Sequence, residues 1–277
     1  MTLQTRPIGR VVLSQRRDWH RIGLALLALP LLVFLTLPLF SLLIRTGLST
    51  LLANALQPQV LEAVMLSLTT SLIATLLAVL FGTPLAYFLA RHDFRGRVIV
   101  ETLIDLPMVL PPAVAGVALL MAFGRRGVVG EYLSDLGLEL AFTQTAVVLA
   151  QLFVAAPFFV KSAMAGFTRI ERDAEEAAQI DGAKHWTVFW HITLPLAWPA
   201  LFGGAIMTWA RALGEFGATI IFAGNFPGRT QTMPLAIYIG FELELGTALT
   251  LSILLLVVSF GVLAVVKGLM RQRIGSM

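Results

Sequence analysis

The sequence predicts an all-α, polytopic membrane protein with six transmembrane helices and a helical elbow in the cytoplasm. Three observations carry that prediction. First, 57% of the 277 residues are hydrophobic and only 13% are charged, with a mean hydropathy of +0.85. A soluble domain needs far more polar surface to cover its core, so the apolar excess must face lipid. Second, the apolar residues gather into six runs, each suited to a hydrocarbon core about 30 Å thick. Third, Lys and Arg fall almost entirely between alternate runs.

The six runs lie at Ile22–Ile44, Leu61–Ala90, Leu103–Phe123, Thr143–Val160, Leu196–Gly224 and Thr247–Val266. Each must be a helix, because lipid cannot satisfy the backbone of an open strand. The second and fifth are longer than a bilayer requires, which predicts tilt or extension into the interface. The first follows a basic segment but is too long for a signal-peptide core. No small-x-small cleavage site stands between Ile44 and Arg45, so it reads as a retained anchor. Residues 1–60 then comprise a cytoplasmic amino terminus, the first helix and a periplasmic loop. Residues 61–277 comprise a core of five helices, with a long cytoplasmic loop at 161–195.

Direction follows from the basic residues. One side holds Arg6, Arg10, Arg16, Arg17 and Arg21; Arg91, Arg95 and Arg97; Lys161, Arg169, Arg172 and Lys184; and Lys267, Arg271 and Arg273. The other holds only Arg45, Arg125, Arg126 and Arg229, and Arg211 lies inside the fifth run. A split of fifteen to four places both termini in the cytoplasm of a multi-pass protein in the plasma (inner) membrane, with lipid as its surroundings. The pI near 10.0 therefore reflects membrane orientation and not a nucleic-acid partner. The absence of cysteine excludes disulfides and thiolate metal sites.

The long cytoplasmic loop is the most informative stretch. Thr168 and Glu171 have the spacing of a capping box, which predicts that a helix begins there. Glu171, Asp173, Glu175 and Glu176 load its first turns with negative charge, which the helix dipole favours. Ala177, Ala178 and Ile180 continue it. Asp181-Gly182 reads as its stop, with the glycine left-handed. A second short helix puts Trp186, Phe189 and Trp190 on one face and ends at Leu194-Pro195. Such an elbow suits docking into a partner's groove. It equally suits lying on the headgroups or packing on its own bundle.

Glu176-Ala177-Ala178, then Gly182-Ala183, Phe189, Ile192 and Leu194-Pro195, resemble the EAA signature of permease subunits in binding-protein-dependent ABC importers. The resemblance implies that the elbow, including Glu175 and Asp181, is a coupling helix seated in a separate ATP-hydrolysing subunit. The chain has no G-x-x-x-x-G-K-[ST] run, so ATP and Mg belong to that partner and no cofactor to this chain.

Two runs carry features of a pathway. Pro107, Pro111 and Pro112 predict a bent or broken third helix near its cytoplasmic end. Broken helices at membrane depth often line a cavity, although a packing kink explains the prolines equally. Arg211 and Glu215 are four residues apart in the fifth run, so they can share a face and neutralise each other. A structural pair and an anion contact both remain open for them. Gly214 and Gly217 would permit close helix approach.

Arg211-Ala-Leu-Gly-Glu215-Phe-Gly217, Phe222-Ala-Gly-Asn225 and Pro227-Gly-Arg-Thr-Gln-Thr-Met-Pro234 are similar to segments of molybdate and tungstate permeases, and also of sulfate and thiosulfate permeases. Leu106-Pro-Met-Val-Leu-Pro-Pro112 and Phe123-Gly-Arg-Arg-Gly127 favour the molybdate side. The resemblance implies a homodimer whose third and fifth spans line the pathway, two ATP-binding cassette subunits, and an extracytoplasmic binding protein that meets Arg125, Arg126 and Arg229. An intramembrane enzyme is the contrasting class. The histidines at 20, 92, 185 and 191 form no H-E-x-x-H, and no G-x-S-x-G elbow occurs, so no catalytic residue and no metal ligand is expected. A gated channel would not need the EAA elbow.

Overall fold

A computed structural model of the chain describes residues 14–274; Arg6 and Arg10 of the basic amino-terminal cluster lie outside them. Among the described residues all regular structure is helical. In chain order the helices are α1 (Ser14–Arg45), α2 (Leu48–Ala55), α3 (Pro58–Arg91), α4 (Arg97–Val109), α5 (Pro112–Phe123), α6 (Gly130–Asp135) and α7 (Gln144–Thr168). Then follow α8 (Arg172–Ile180), α9 (His185–Val188), a π-helical turn (Phe189–Thr193), α10 (Leu194–Leu213), α11 (Gly217–Phe222), α12 (Met233–Leu243) and α13 (Leu245–Ile274). The chain divides into two units, residues 1–48 and 49–277. The first contains α1, which carries Pro30 and Pro38 within its length.

Among the described residues five helices are long and apolar enough to cross a bilayer, or six if the bent pair α4–α5 is one span. The bend is 117°. Its cause is local. Leu110 and Pro111 each precede a proline, which forces both into extended conformations, with ψ of 136° and 134°. Each arm is about 20 Å long at 1.5 Å per residue, too short to cross alone. The break falls at the prolines from which the sequence reading expects it, in the middle of the apolar run.

The second unit is organised around α3, α7 and α10. Apolar area gives helices little drive to associate in lipid, so close backbone approach must supply the attraction. Glycines permit it here. A Cβ on Gly82 would lie 2.7 Å from Phe159, one on Gly166 2.5 Å from Ala200, and one on Gly204 2.7 Å from Ser162. The Ser162 hydroxyl adds a 2.8 Å hydrogen bond to the Ala200 carbonyl.

Two helix boundaries differ from the sequence reading. The fourth span continues past Val160 to Thr168, because Ala163 and Phe167 keep its buried face going, each with no exposed surface. Lys161 is therefore inside the helix, paired with Asp105 of α4 at 2.7 Å. The fifth run, Leu196–Gly224, is also not one rod. It stops at Leu213 and restarts at Gly217.

Candidate functional site

The elbow is built from α8, α9 and the π turn. Its first helix starts later than Thr168. Glu171 is the N-cap residue, and the Thr168 hydroxyl closes α7 by bonding back to the Met164 carbonyl at 2.8 Å. The acidic first turn is present in Asp173 and Glu175. Gly182 ends the helix as the sequence predicts, at φ +91°. Its amide bonds to the Gln179 carbonyl and that of Ala183 to Ala178, both at 3.0 Å, the paired closure that a left-handed glycine permits.

The second half of the elbow does not end at Leu194-Pro195. It runs on into the fifth span through the π turn, where the Leu194 amide reaches back five residues to the Phe189 carbonyl. Proline has no amide to donate, and the widened turn carries the helix past Pro195 without a full stop. The second half of the elbow and the fifth span are thus one continuous rod.

Side-chain burial divides the elbow into two faces. Glu176, Ala177, Asp181 and Gly182 are exposed, while Ala178 and Ala183 are half-buried. Trp186 is 71% exposed and forms an aromatic cluster with Phe189 and Trp190. Phe189 turns inward, its ring edge-on to Tyr87 of α3 at 4.9 Å, and Leu194 is half-buried beside it. Glu175 is buried. Its Oε1 accepts from Arg91 Nη2 and from the Thr193 hydroxyl, each at 2.7 Å, and Arg91 Nη1 also donates to the Ile170 carbonyl at 3.2 Å.

Arg91 and Thr193 are the partners of Glu175 that sequence reasoning missed. Arg91 counted only as one more basic loop residue, and its partner lies 84 residues away, beyond any local spacing rule.

The second candidate region is where the two broken spans meet. Gly217 sits against Pro112, where a Cβ would come within 2.5 Å of the proline ring. Gly116 sits equally close to the Ala218 carbonyl, at 2.9 Å for the same construction. Backbone therefore packs on backbone between α5 and α11. Arg211, four residues before Glu215, pairs with it at 2.8 Å. Glu215 is 1% exposed and lies in the gap between α10 and α11, where its Oε1 accepts the Ala218 amide at 2.9 Å. One carboxylate thus neutralises the arginine and caps the restarted helix. Arg211 keeps 31% of its side chain exposed. Pro111 stands at the α4–α5 break, while Pro107 stays inside α4 and lines a cavity of about 310 Å³ with Leu119, Phe123 and Pro157.

Residues 82–271 match the family of binding-protein-dependent transport system inner membrane components. The chain belongs to that family. Among similar proteins is the molybdenum transport system permease protein ModB of Mycobacterium tuberculosis, 43% identical over 82% of this chain and 86% of that one. The sulfate transport system permease protein CysW of Synechococcus elongatus is 35% identical over 83% of this chain and 80% of that one. A crystal structure of a bacterial ABC transporter that imports the acidic polysaccharide alginate superposes with a TM-score of 0.73. It covers 93% of this chain and 96% of its own at 20% identity, which speaks for the fold alone. The permease is thus the non-catalytic membrane component of an ABC importer, and its elbow coincides with the EAA-like stretch.

Proposed function

We propose that this permease is the transmembrane half of an ATP-driven importer of a tetrahedral oxyanion, molybdate before tungstate or sulfate. The observation that carries the importer mechanism is the two-faced elbow. One face is fixed to the membrane helices through Glu175 and Phe189, and the other presents Glu176, Ala177 and Gly182 to solvent. A surface held rigid from behind suits transmission of force from a partner docked in front. Molybdate is preferred because the 43% identical relative is named for molybdenum transport, while sulfate is the alternative drawn from the 35% identical one.

In this reading two copies of the permease assemble with two ATPase subunits, which hold ATP and Mg, and an extracytoplasmic binding protein. Both termini and the elbow are cytoplasmic. The contact between the last turn of α3 and the elbow supports that side, since it brings the basic Arg91 and Arg172 together at one end. ATP-driven closure of the two ATPases moves both elbows, and each elbow carries α10 with it as a continuous rod. Hydrolysis returns the dimer inward-facing. The break between α10 and α11 and the α4–α5 break are the places where two packed arrangements can exchange, because neither is held by a continuous helical ladder. Arg211, with a third of its side chain uncovered, faces the pathway, and Glu215 tempers its hold on a dianion.

The test is reconstitution of the permease with its ATPase subunits in liposomes, with binding protein outside. ATP-dependent uptake of radiolabelled molybdate is the expected result. Flux at the same rate without the ATPase subunits would make the protein a channel, and uptake confined to sulfate would move it to the alternative substrate.

A further inference from the structure

The Arg91–Glu175–Thr193 cluster asks for a purpose. Three separate elements converge on one carboxylate: the last turn of α3, the first turn of α8 and the π turn. The Arg91 and Glu175 side chains keep only 10% and 11% of their surface exposed. Arg91 also holds the Ile170 carbonyl in the link between α7 and α8, and Arg172 returns a 3.4 Å hydrogen bond to the Arg91 carbonyl. One turn earlier, Tyr87 places its ring edge-on against Phe167 at 5.4 Å and Phe189 at 4.9 Å. The end of α3 is therefore keyed into the elbow by a polar lock and an aromatic one.

Stability alone does not account for the polar lock. Desolvating two charges offsets most of their attraction, so apolar residues of similar volume would hold a fold together as well. A buried ion pair does better than an apolar patch at fixing one register between elements. The far end of α3 has a comparable fastening. The Ser67 hydroxyl accepts the Met233 amide at 2.7 Å, at the start of α12. Between these fastenings α3 is one continuous helix with Pro84 within it, about 36 Å from Ser67 to Arg91 at 1.5 Å per residue.

We propose that Arg91 and Glu175 are positioning residues that make the end of α3 move with the elbow. The elbow then drives the second span directly, as well as the fifth span to which it is covalently joined. This rests on the importer reading above. The force enters at the exposed face of α8, passes through Glu175 to Arg91, and reaches Met233 along α3.

The chain has no cysteine, so Arg91→Cys with Glu175→Cys introduces a unique thiol pair. The assay is ATP hydrolysis by the reconstituted permease–ATPase complex, with and without oxyanion-loaded binding protein. Without a cross-linker, the stimulation ratio is expected to fall on the order of tenfold, within the usual range of coupling between sites. A short bifunctional maleimide that rejoins the two positions restores it. A ratio unchanged in the unlinked variant overturns the proposal, as does arrest on cross-linking, which would mean that the two elements must part. The apolar variant Arg91→Met with Glu175→Leu guards against misfolding. It is expected to assemble and hydrolyse ATP at the basal rate while losing stimulation, and retained stimulation overturns the proposal. A wild-type complex that responds to no oxyanion overturns the importer reading, whereas a responsive wild type with responsive variants overturns only the strut.

Discussion

Replacing Arg211 should damage the fold more than neutralising Glu215, although the two share one ion pair. The asymmetry follows from exposure: 31% for the arginine side chain and 1% for the glutamate. Arg211→Met strands a carboxylate with no water around it, and breaking a buried pair in this way costs about 3–5 kcal/mol. Glu215→Gln strands a guanidinium that still reaches solvent, and keeps an oxygen to accept the Ala218 amide. Its cost is about 1–2 kcal/mol once exposure is discounted. The double variant removes both charges and should lie near the milder single one. Each kcal/mol is worth roughly 2–4 °C in a chain of this size. Arg211→Met should therefore lower Tm by about 6–20 °C and Glu215→Gln by about 2–8 °C, with the arginine variant the lower of the two. The check is unfolding in detergent followed by tryptophan fluorescence at one heating rate, so that slow irreversible steps cancel in the comparison. Shifts that simply add in the double variant, or a Glu215→Gln loss as large as that of Arg211→Met, would refute the reasoning.

Three further outcomes are expected. Gly82→Val drives new atoms into the buried Phe159 ring and should cost about 1–3 kcal/mol, whereas Gly203→Ala, with no heavy atom within 4 Å of the new Cβ, should stabilise by up to about 1 kcal/mol; melting of both variants decides it. Glu176→Lys is exposed and should leave Tm within about 2 °C, a surface change away from caps and partners being worth under roughly 0.5 kcal/mol, while ATPase stimulation by loaded binding protein disappears. Gln151→Leu replaces a fully buried amide that has no hydrogen-bond partner among the described residues; melting should be unchanged or higher, and a fall in Tm would show the amide to be satisfied by buried water.

Much of this architecture was legible in the chain because membrane proteins write it in long runs. Six apolar stretches were read as spans; five of them fall on long apolar helices and the other on the bent pair α4–α5, whose break Pro111-Pro112 marked. The left-handed Gly182 and the acidic first turn of α8 were also local facts, fixed within a few residues. What escaped was set by tertiary contact. The fourth span outran its apolar run since Ala163 and Phe167 are buried by α3 and α10, so a lysine could sit inside it. The run Leu196–Gly224 looked continuous because Arg211 and Glu215 are its only charges and have the spacing of a helical pair, yet Gly217 packs on Pro112 where the helix is broken. Pro195 resembled a stop for the same kind of reason: proline ends most helices, and nothing nearby announces a π turn.

Glu175 and Glu176 show how far such contacts can separate neighbours. From sequence they are equal members of one acidic turn, and both were assigned to the docking face. On a helix adjacent residues are about 100° apart, so one turn cannot aim both at the same partner. Only the arrival of Arg91 from the end of another span settles which of them faces inward, at 2.7 Å. An unpaired Glu175 at 9% exposure would be costly, and an unpaired Arg91 equally so, hence each fixes the rotation of the other's helix. That rotation in turn leaves Glu176, Ala177 and Gly182 outward. The outward face of the elbow is thus a consequence of an ion pair on its inward face, and the docking surface is aimed by residues that take no part in it.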